Sequence, residues 1–520
     1  MEYPVWYLPT IGGGILIALI AITHVFVSHF AIGGGLFLVF SEKKGYREND
    51  EGVLAYTKRH AKFFLLVTMV FGSMSGVGIW LIISLVQPAA TSFLIHKFVF
   101  AWAIEWVFFL IEIVAAFVYF YTFGKMDRKT HLMIGWIYFI AAWISLFLIN
   151  GILTFMLTPG SWVENPTLFA GFFNPSFWPS LFFRTFIATM LAGAYGFLTA
   201  SFIKDPELRV KMSAFSSKWT LFSFIPAIPA GLWYLSVLPE LPKSLVAGKL
   251  PSIKTALYYG LGAVILLILL ALLTAIAKPK ANLKPLAIVT FISAFIFMGA
   301  FEYIREGARR PYVLNQVMYS NGILKKDVAR LNKEGFLKHA KWTTEKPIGK
   351  ITEKNRIEAG RVLFDKQCYA CHTVNGFNND IVSRTRSLSY RGMIAYLKKM
   401  HQTRPFMPPF VGTEVERDAL AAYIVVGLHG KSIPVDPKPS DTNKGKGLYE
   451  ENCAACHESD DMKELLQGWD LQKIRSSLPR LSELNEEMPD FEGSEPELNA
   501  LADFLAGLNR EGTQPAPIQG

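Results

Sequence analysis

Long apolar stretches dominate the N-terminal part of the chain and restrict its fold more than any other feature. A membrane-spanning helix needs about 20 mostly apolar residues. Eight stretches are long enough, near 13–40, 62–86, 98–122, 131–157, 180–203, 219–238, 256–277 and 284–304. Within lipid, backbone polar groups must be hydrogen-bonded inside the protein, which favours helices here. The sequence therefore predicts an all-α fold that begins with a polytopic bundle of about eight helices in a lipid bilayer.

The composition changes sharply after the last apolar stretch. Over the whole chain 51% of residues are hydrophobic and 18% are charged, but these values average two unlike parts. The second part reads as two compact helical segments separated by the Pro-rich linker SIPVDPKPSDTN. The predicted domains are a transmembrane bundle at 1–312, a basic connector at 313–352, small α-helical domains at 353–431 and 444–510, a linker at 432–443 and a tail at 511–520.

Basic residues cluster in the loops on one side of the predicted bundle. These loops are SEKKGYRENDEGVLAYTKRH, GKMDRKTH, KDPELRVKMSAFSSK and AKPKANLK. Because loops rich in Lys and Arg stay in the cytoplasm, both ends of the bundle and everything after it are predicted to face outward. The net charge of +10 is partly explained in this way and does not indicate a nucleic-acid partner. We expect a bacterial inner-membrane protein whose C-terminal part lies in the periplasm.

All four cysteines occur in two motifs, CYACH at 368–372 and CAACH at 453–457. In Cys-x-x-Cys-His the thiols attach a c-type haem, and the histidine supplies an axial nitrogen. A redox dithiol or half of a zinc site are the alternatives, but a redox motif does not need the histidine. The sequence therefore predicts two covalently bound haem c groups. Their predicted residues are Cys368, Cys371 and His372 for the first and Cys453, Cys456 and His457 for the second.

A methionine followed by proline lies some 30 to 35 residues after each motif, Met407 in RPFMPPF and Met488 in EEMPDF. Helical segments flank both arrangements. This order resembles class I cytochrome c domains, in which such a methionine is the sixth iron ligand. A thioether ligand raises the potential of the iron. The alternatives are an ordinary loop side chain at either position and, in the first domain, ligation by His401, Met393 or Met400.

Ionisable residues inside apolar stretches are functional candidates, because charge within a membrane is costly. His24 and His29 lie in the first stretch, Glu105 and Glu112 in the third, and Arg184 opens the fifth. The eighth stretch ends in FEYIREGARRPY, which contains Glu302, Arg305, Glu306, Arg309 and Arg310. With the topology above, these groups predict haem ligands, propionate partners and a proton relay near the outer face. His60 and His131 fall at the basic, cytoplasmic ends and are expected to be interfacial.

Four motifs in about residues 1–320 resemble subunit I of the cytochrome bd-type oxygen reductases. They are THVFVSHFAIGGG, AIEWVFFLIE, the stretch from HLMIGW to TPG, and REGARRPY. The resemblance implies that His24 and Glu306 bind haem iron and that Arg309 lies beside the high-spin haem. It also implies that Glu105 and Glu112 relay protons. The alternatives are a packing histidine, a salt-bridge cluster at the membrane edge and buried carboxyls hydrogen-bonded within the bundle.

The predicted non-covalent cofactors are two or three haems of b type, or of b and d type. Arg184, Arg305 and Arg309 are expected to neutralise their propionates and Glu306. The family holds a low-spin haem by a His on the fifth span and a Met on the seventh. Alignment places Arg184 and Tyr258 at those positions. Either the third haem is absent or it uses other ligands, such as His29 or His96.

A second departure concerns the electron donor. The family carries a long quinol-binding loop between its sixth and seventh spans, whereas this connection is only PELPKSLVAGKLPSIK. The family's ninth span is also missing, and a di-haem segment follows directly. The sequence therefore predicts an oxidase that receives electrons from a periplasmic cytochrome c or a membrane donor and reduces oxygen to water.

Three other functions stay open. The chain would be an electron-transfer subunit between quinone and periplasmic acceptors, a nitric oxide reductase, or an assembly subunit with decayed haem sites. Retention of His24, Glu105, Glu306 and Arg309 argues against the last. The resemblance also implies a second integral membrane subunit, similar either to the family's subunit II or to subunit I.

Overall fold

The described residues fold into two compact units. The computed structural model describes residues 3–277, 283–341, 348–433, 441–454, 457, 459–484, 488 and 490–511. One unit, the membrane unit, is Ile15–Met318, and the other, the CxxCH unit, comprises Met1–Gly14 and Tyr319–Gly520. Regular structure in the described residues is almost entirely helical, which confirms the predicted all-α class. The boundaries proposed for the individual domains stay predictions.

The helices of the membrane unit follow the predicted apolar stretches closely. They are α1 (Gly13–Glu48), α2 (Glu51–Leu65), α3 (Ser73–Val86), α4 (Pro88–Lys97), α5 (Val99–Thr122), α6 (Arg128–Phe155), α7 (Leu168–Phe172), α8 (Phe177–Ala200), α9 (Pro206–Ser236), α10 (Glu240–Ser244), α11 (Pro251–Leu272) and α12 (Lys284–Ala308). A π-helical segment, Leu66–Gly72, joins α2 to α3, and another, Leu273–Ala277, extends α11. Helices are expected because only a helix lets a single apolar segment hydrogen-bond all of its backbone N–H and C=O groups within itself in lipid.

Seven helical stretches within the described residues are long and apolar enough to cross a membrane. They are Gly13–Glu48, Glu51–Val86, Val99–Thr122, Arg128–Phe155, Phe177–Ala200, Pro251–Ala277 and Lys284–Ala308. The remaining predicted stretch, 219–238, lies mostly on α9. That helix contains Pro226 and Pro229 and is less apolar than the seven.

The helix α8 is the most enclosed spanning helix of the membrane unit. In its most apolar window 67% of residues are buried, against at most 33% in the other six. Gly193 and Gly196 let α9 approach closely, since a Cβ added at Gly193 would lie 2.5 Å from the backbone nitrogen of Thr220. Small residues permit such approach between membrane helices. The polar residues Ser180 and Arg184 of α8 are therefore enclosed by neighbouring helices.

Aspartates begin three of the helices that follow predicted basic loops. The side chains of Asp50, Asp127 and Asp205 accept hydrogen bonds from backbone N–H groups in the first turns of α2, α6 and α9. An Asp at this position satisfies an N–H group that has no partner within the helix. Local sequence therefore fixes where these helices start.

The CxxCH unit consists of short helices. They are α13 (Val328–Glu334), α14 (Arg356–Gln367), α15 (Ile381–Arg384), α16 (Tyr390–Thr403), α17 (Glu414–Ala422), α18 (Asp441–Asn452), α19 (Ser459–Leu465), α20 (Leu471–Ser477), α21 (Leu481–Leu484) and α22 (Glu495–Glu511). A π-helical segment, Tyr423–Leu428, extends α17. Two short strands, Tyr312–Leu314 and Met318–Tyr319, pair after α12.

Two separate apolar clusters form the interior of the CxxCH unit. One contains Leu363 and Phe364 of α14 together with Leu420 of α17. The other contains Tyr449 of α18 and Leu501 of α22. Each cluster therefore packs the helix that leads into a CxxCH motif against a later helix, as expected for c-type domains.

Candidate haem sites

The first motif begins where α14 ends, and its histidine is held in a defined orientation. The backbone N–H of His372 donates to the Cys368 carbonyl at 2.9 Å, closing a turn around the motif. Nδ1 of His372 lies 3.0 Å from the Asn379 carbonyl, and the Asn379 amide donates to the Cys371 carbonyl at 2.6 Å. A carbonyl can only accept, so Nδ1 carries the hydrogen and the lone pair that the predicted iron ligation needs is on Nε2. Metal-binding histidines are commonly oriented in this way.

The N-terminal segment packs against this motif, which sequence reasoning missed. The Pro9 carbonyl accepts from the N–H of Val374 at 3.0 Å. The Tyr7 ring meets the edge of Tyr369, a residue inside the motif, with centroids 4.9 Å apart. The segment YLPT carries no recognisable signal for such a contact, because backbone hydrogen bonds to a distant loop leave no pattern in sequence.

The predicted sixth ligand of the first haem c is supported from two sides. The Tyr396 hydroxyl lies 3.6 Å from the Met407 sulfur, and Nδ1 of His401 lies 2.6 Å from the Met407 carbonyl. His401 therefore holds the Met407 loop through its backbone. Met393 is 1% exposed and belongs to the apolar core, and Met400 packs against that core. The ligand role of Met407 stays a prediction.

The second motif follows α18 in the same manner. The His457 N–H donates to the Cys453 carbonyl at 3.0 Å, and the Tyr449 hydroxyl donates to the His457 carbonyl at 2.9 Å. Cys456 lies outside the described residues. Met488 is described and half-buried, so its role as sixth ligand stays a prediction.

The two motif-bearing segments contact each other. A Cβ added at Gly392 of α16 would lie 3.0 Å from the Glu450 carbonyl of α18. The Lys399 ammonium donates to the Asn452 side chain at 3.1 Å. Because α18 runs directly into Cys453, this contact links the first segment to the start of the second motif.

In the membrane unit, His24 has a partner that fixes its tautomer. Its Nδ1 lies 3.1 Å from the Ser75 hydroxyl, which itself donates to the Phe71 carbonyl at 2.8 Å. A serine hydroxyl has one hydrogen, so it accepts from Nδ1–H and leaves Nε2 of His24 with a lone pair. A Cβ at Gly76 would lie 3.2 Å from the His24 ring, so glycine makes room for it. The donor set fits a haem-iron ligand.

Arg184 lies at the centre of a charged cluster that joins three helices. Its Nη2 lies 3.1 Å from Oε1 of Glu302 on α12, and its Nη1 lies 3.3 Å from Nε2 of His29 on α1. Glu302 also accepts from Nε of Arg305 at 2.8 Å. Arg184 and Glu302 are 2% and 5% exposed, so the pair is buried. The sequence suggested these residues but not their pairing.

Glu306 and Arg309 form a second pair at the end of α12. The Arg309 guanidinium binds Glu306 and donates from Nη1 to the Val313 carbonyl at 2.8 Å. Arg309 is buried, whereas the Glu306 side chain is 56% exposed. An accessible carboxylate with one oxygen held by an arginine fits the predicted iron ligand.

Three arginines of these two clusters each have a buried guanidinium nitrogen without a hydrogen-bond partner among the described atoms. These nitrogens are Nε of Arg184, Nη1 of Arg305 and Nε of Arg309. A buried donor left without an acceptor is costly. Carboxylates are the groups that guanidinium donors match best. The three arginines therefore fit haem propionates, as the sequence predicts.

The residues at the predicted third-haem positions do not fit that group. Arg184 is engaged by Glu302 and cannot lose its proton to bind iron. Tyr258 on α11 is 62% exposed on the outside of the bundle. Of the proposed replacements, His29 does not fit, because its Nε2 lies 3.3 Å from Nη1 of Arg184. His96 is exposed, with Nδ1 2.7 Å from the Ser92 carbonyl, and its role as a ligand stays a prediction.

The α5 carboxylates share a partner on α6. The Ser145 hydroxyl donates to Glu105 at 3.0 Å and also lies close to Glu112. Glu112 is 7% exposed, and Glu105 is half-buried. The serine therefore connects two acids that stand two turns apart, as a proton relay requires.

Two histidines expected to be interfacial are enclosed by helices. His60 and His131 are each 1% exposed. Nδ1 of His60 contacts the Thr199 hydroxyl at 2.8 Å, and His131 lies against Glu42 and Tyr119. Neighbouring helices cover both rings, so neither faces solvent, and their place at the membrane interface stays a prediction.

The bundle and the sites define a multi-pass, haem-binding membrane protein with a fused c-type cytochrome part. Residues 15–230 match the family model of cytochrome bd terminal oxidase subunit I. Residues 355–424 and 440–505 match that of cytochrome C oxidase, cbb3-type, subunit III. The resemblance recognised from motifs is thereby confirmed for residues 15–230 and for the two CxxCH regions, whereas the REGARRPY motif lies outside the matched residues. The chain is an oxidoreductase of membrane electron transport.

A solved structure shares the fold of the bundle. The bd oxidase from Geobacillus thermodenitrificans superposes with a TM-score of 0.53 at 17% sequence identity, covering 58% of this chain and 87% of that chain. No curated protein matches the chain. At this identity the likeness establishes the fold, and the chemistry depends on the residues described above.

Proposed function

We propose that the chain is the subunit of a terminal oxidase that accepts electrons from a periplasmic cytochrome c or a membrane donor and reduces oxygen to water. The observation that carries this proposal is that two features occur in the same chain. The membrane unit contains the Arg184–Glu302 and Glu306–Arg309 pairs, and two CxxCH motifs follow α12 in the sequence. Electron delivery and a haem-holding bundle are thus combined.

A short connection argues against a quinol donor. α9 ends at Ser236 and α11 begins at Pro251, and the residues between them hold only the short helix α10 and a π-helical segment. No long polar loop is present in this described stretch to enclose a quinol. Electrons would therefore arrive through the c-type segments, whose contact at Gly392 and Asn452 supports transfer between them.

The chemistry in the membrane unit is divided among its own residues. His24 offers Nε2 to iron, and Glu306 offers a carboxylate steadied by Arg309. A haem bound there would supply the iron at which oxygen is reduced. Ser145 holds Glu105 and lies close to Glu112, so protons can pass along α5 toward that site.

The cofactors, partner and orientation belong to the same proposal. Two covalent haem c groups and two non-covalent haems fit the residues, since the third-haem positions do not. The basic loops put the c-type segments in the periplasm of an inner-membrane protein. A second integral membrane subunit would cover the lipid-facing surface of the bundle, as the likeness to a bd oxidase suggests.

The test uses the purified full-length protein. Pyridine haemochrome spectra before and after acid-acetone extraction count covalent and extractable haems, and an oxygen electrode with reduced cytochrome c measures uptake. The proposal expects two covalent and two extractable haems and cyanide-sensitive oxygen uptake. Low-spin spectra throughout, without carbon monoxide binding or oxygen uptake, would leave an electron-transfer subunit. Nitric oxide consumption without oxygen uptake would identify a nitric oxide reductase.

A further inference from the structure

A buried polar cluster joins three helices at the basic-loop end of the membrane unit. Oε1 of Glu42 on α1 lies 2.7 Å from Nδ1 of His131 on α6. Oε2 of Glu42 accepts from the Tyr119 hydroxyl on α5, also at 2.7 Å. All three side chains are 4% exposed or less. The roles described above use none of them.

The hydrogen-bond geometry shows that this cluster holds a proton. Nδ1 of His131 faces the Glu42 carboxylate, and Nε2 lies 2.8 Å from the Tyr119 backbone carbonyl. The Tyr119 carbonyl can only accept, so Nε2 carries a hydrogen, and the short contact between Nδ1 and Glu42 requires one further proton, carried by either group. The buried carboxyl and imidazole groups share this proton, and either can release it.

The cluster lies on the helix face that carries the proposed relay. Glu105, Glu112 and Tyr119 are spaced seven residues apart along α5. Seven residues are about two turns, so the three side chains point to the same side at intervals of about 10 Å. A polar line therefore runs along α5 from Tyr119 near its C-terminal end to Glu105 near its N-terminal end.

A small cavity lies beside Tyr119, with a volume of about 10 Å³. Its lining is mostly apolar, and the polar side chains in it are Tyr119 and Tyr138. The volume is enough for one water molecule, which would need these tyrosines as its polar partners. Tyr138 also lies close to Glu112, so this region is the place where the gap between Tyr119 and Glu112 would be bridged.

The cluster also has a connection to the surface. Tyr46, one turn beyond Glu42 on α1, is half-buried and close to the Glu42 carboxylate. The exposed Arg128 guanidinium lies 4.5 Å from the centroid of the Tyr46 ring. Glu51, at the start of α2, is also close to Tyr46. These three side chains lie on the basic-loop side of the cluster and connect it to the surface.

We propose that Glu42, His131 and Tyr119 form the proton-uptake site of the membrane unit and deliver protons to Glu112. The inference rests on the proposed oxidase function. In the overall reaction O2 takes four electrons from the cytochrome c donor and four protons to give two H2O. Each proton enters at Glu42–His131 and passes through Tyr119 and the cavity to Glu112 and then Glu105.

The test compares variants in proteoliposomes with a pH-sensitive dye on the side of the basic loops. Glu42→Gln and His131→Gln should slow proton uptake and oxygen turnover together, by roughly 100-fold, the low end of what a positioned proton-transfer group contributes. Tyr119→Phe removes only the hydroxyl and should also slow uptake. His60→Gln is the matched control, because it replaces an equally buried histidine that bonds Thr199 instead.

A structural role predicts a different pattern. If the cluster only stabilises the packing of α1, α5 and α6, Glu42→Gln lowers the thermal midpoint of unfolding. Haem content and oxygen turnover per folded molecule then stay at the wild-type level. Wild-type turnover in folded Tyr119→Phe and Glu42→Gln, with the oxidase intact, overturns the uptake site alone. Absence of oxygen uptake in the wild-type protein overturns the oxidase function and this inference with it.

Discussion

Arg184 on α8 and Glu302 on α12 form a buried ion pair, with Nη2 3.1 Å from Oε1. The pair lies where the bd-type resemblance would place a haem-ligating histidine. Arg305 and His29 complete its surroundings. The position therefore binds neighbouring side chains rather than iron, and the cluster fastens α1, α8 and α12 together.

Removing the acid from this cluster should destabilise the membrane unit. Glu302→Gln removes the carboxylate that pairs with both Arg184 and Arg305, and breaking a buried pair costs about 3–5 kcal/mol. We expect a clear drop in the thermal midpoint in detergent. Glu164→Gln, at an exposed loop position, is the control and should change little. A double Arg184→Met/Glu302→Met variant should recover part of the loss, and an unchanged midpoint in Glu302→Gln would contradict the role of the pair.

The same cluster predicts the haem content. We expect two extractable haems per chain and no reduced low-spin b signal beyond them, because neither Arg184 nor Tyr258 can ligate iron. His29→Gln keeps a hydrogen-bonding group beside Arg184 and should leave the extractable haem count at its wild-type value. A third extractable haem that disappears in His29→Gln would show that His29 is a ligand after all.

How far the sequence predicted the structure depends on the range of the interaction. The CYACH and CAACH motifs and the apolar stretches are local signals, so helix positions and haem c attachment were readable. Glu302 and Arg305 are three residues apart on one helix, so their contact was also foreseeable. The partner Arg184 is distant in sequence, and only the packing of α8 brings it to Glu302.

The buried cluster of Glu42 and His131 shows the opposite case. Both residues fall near basic loops, and position in the chain alone favours an interfacial place. Burial is decided by the neighbouring helices, which cover His131 to 1% exposure. The sequence offered one hint of this cluster, which is Glu42. It is an acidic residue in a basic segment, and the positive-inside rule gives no reason for an acid there.

The first haem c should respond to its predicted methionine ligand. Met407→His exchanges a thioether for an imidazole, which should lower the midpoint potential, since methionine ligation raises it. Met400→Leu is the matched control, because Met400 packs against the apolar core and its replacement should leave the potential unchanged. A spectroelectrochemical titration resolves the two haems. Equal potentials in wild type and Met407→His would exclude Met407 as the ligand.

A final prediction concerns acid stability of the first motif. Asp380 begins α15 and accepts hydrogen bonds from the N–H groups of Asn375 and Ser383 at 2.7 and 3.0 Å. Burial alone would raise the pKa of Asp380, but these hydrogen bonds outweigh it and hold the pKa below the ordinary value of an aspartate. The folded pKa is depressed, so this stabilisation is complete above the unfolded value and is lost as pH falls through the folded one.

Asp380→Ala should therefore lower the unfolding free energy by about 1 kcal/mol near neutral pH, the usual effect of losing a helix cap. The difference from wild type should shrink as pH falls below the ordinary pKa of an aspartate, and it should vanish once pH has passed the depressed pKa of Asp380 and the folded carboxyl is protonated. Denaturant titrations of the full-length protein at several pH values, followed by the absorbance of the first haem c, measure it. Asp365→Asn, on α14 away from this loop, controls for charge, and a pH-independent difference would show that Asp380 acts through its shape alone.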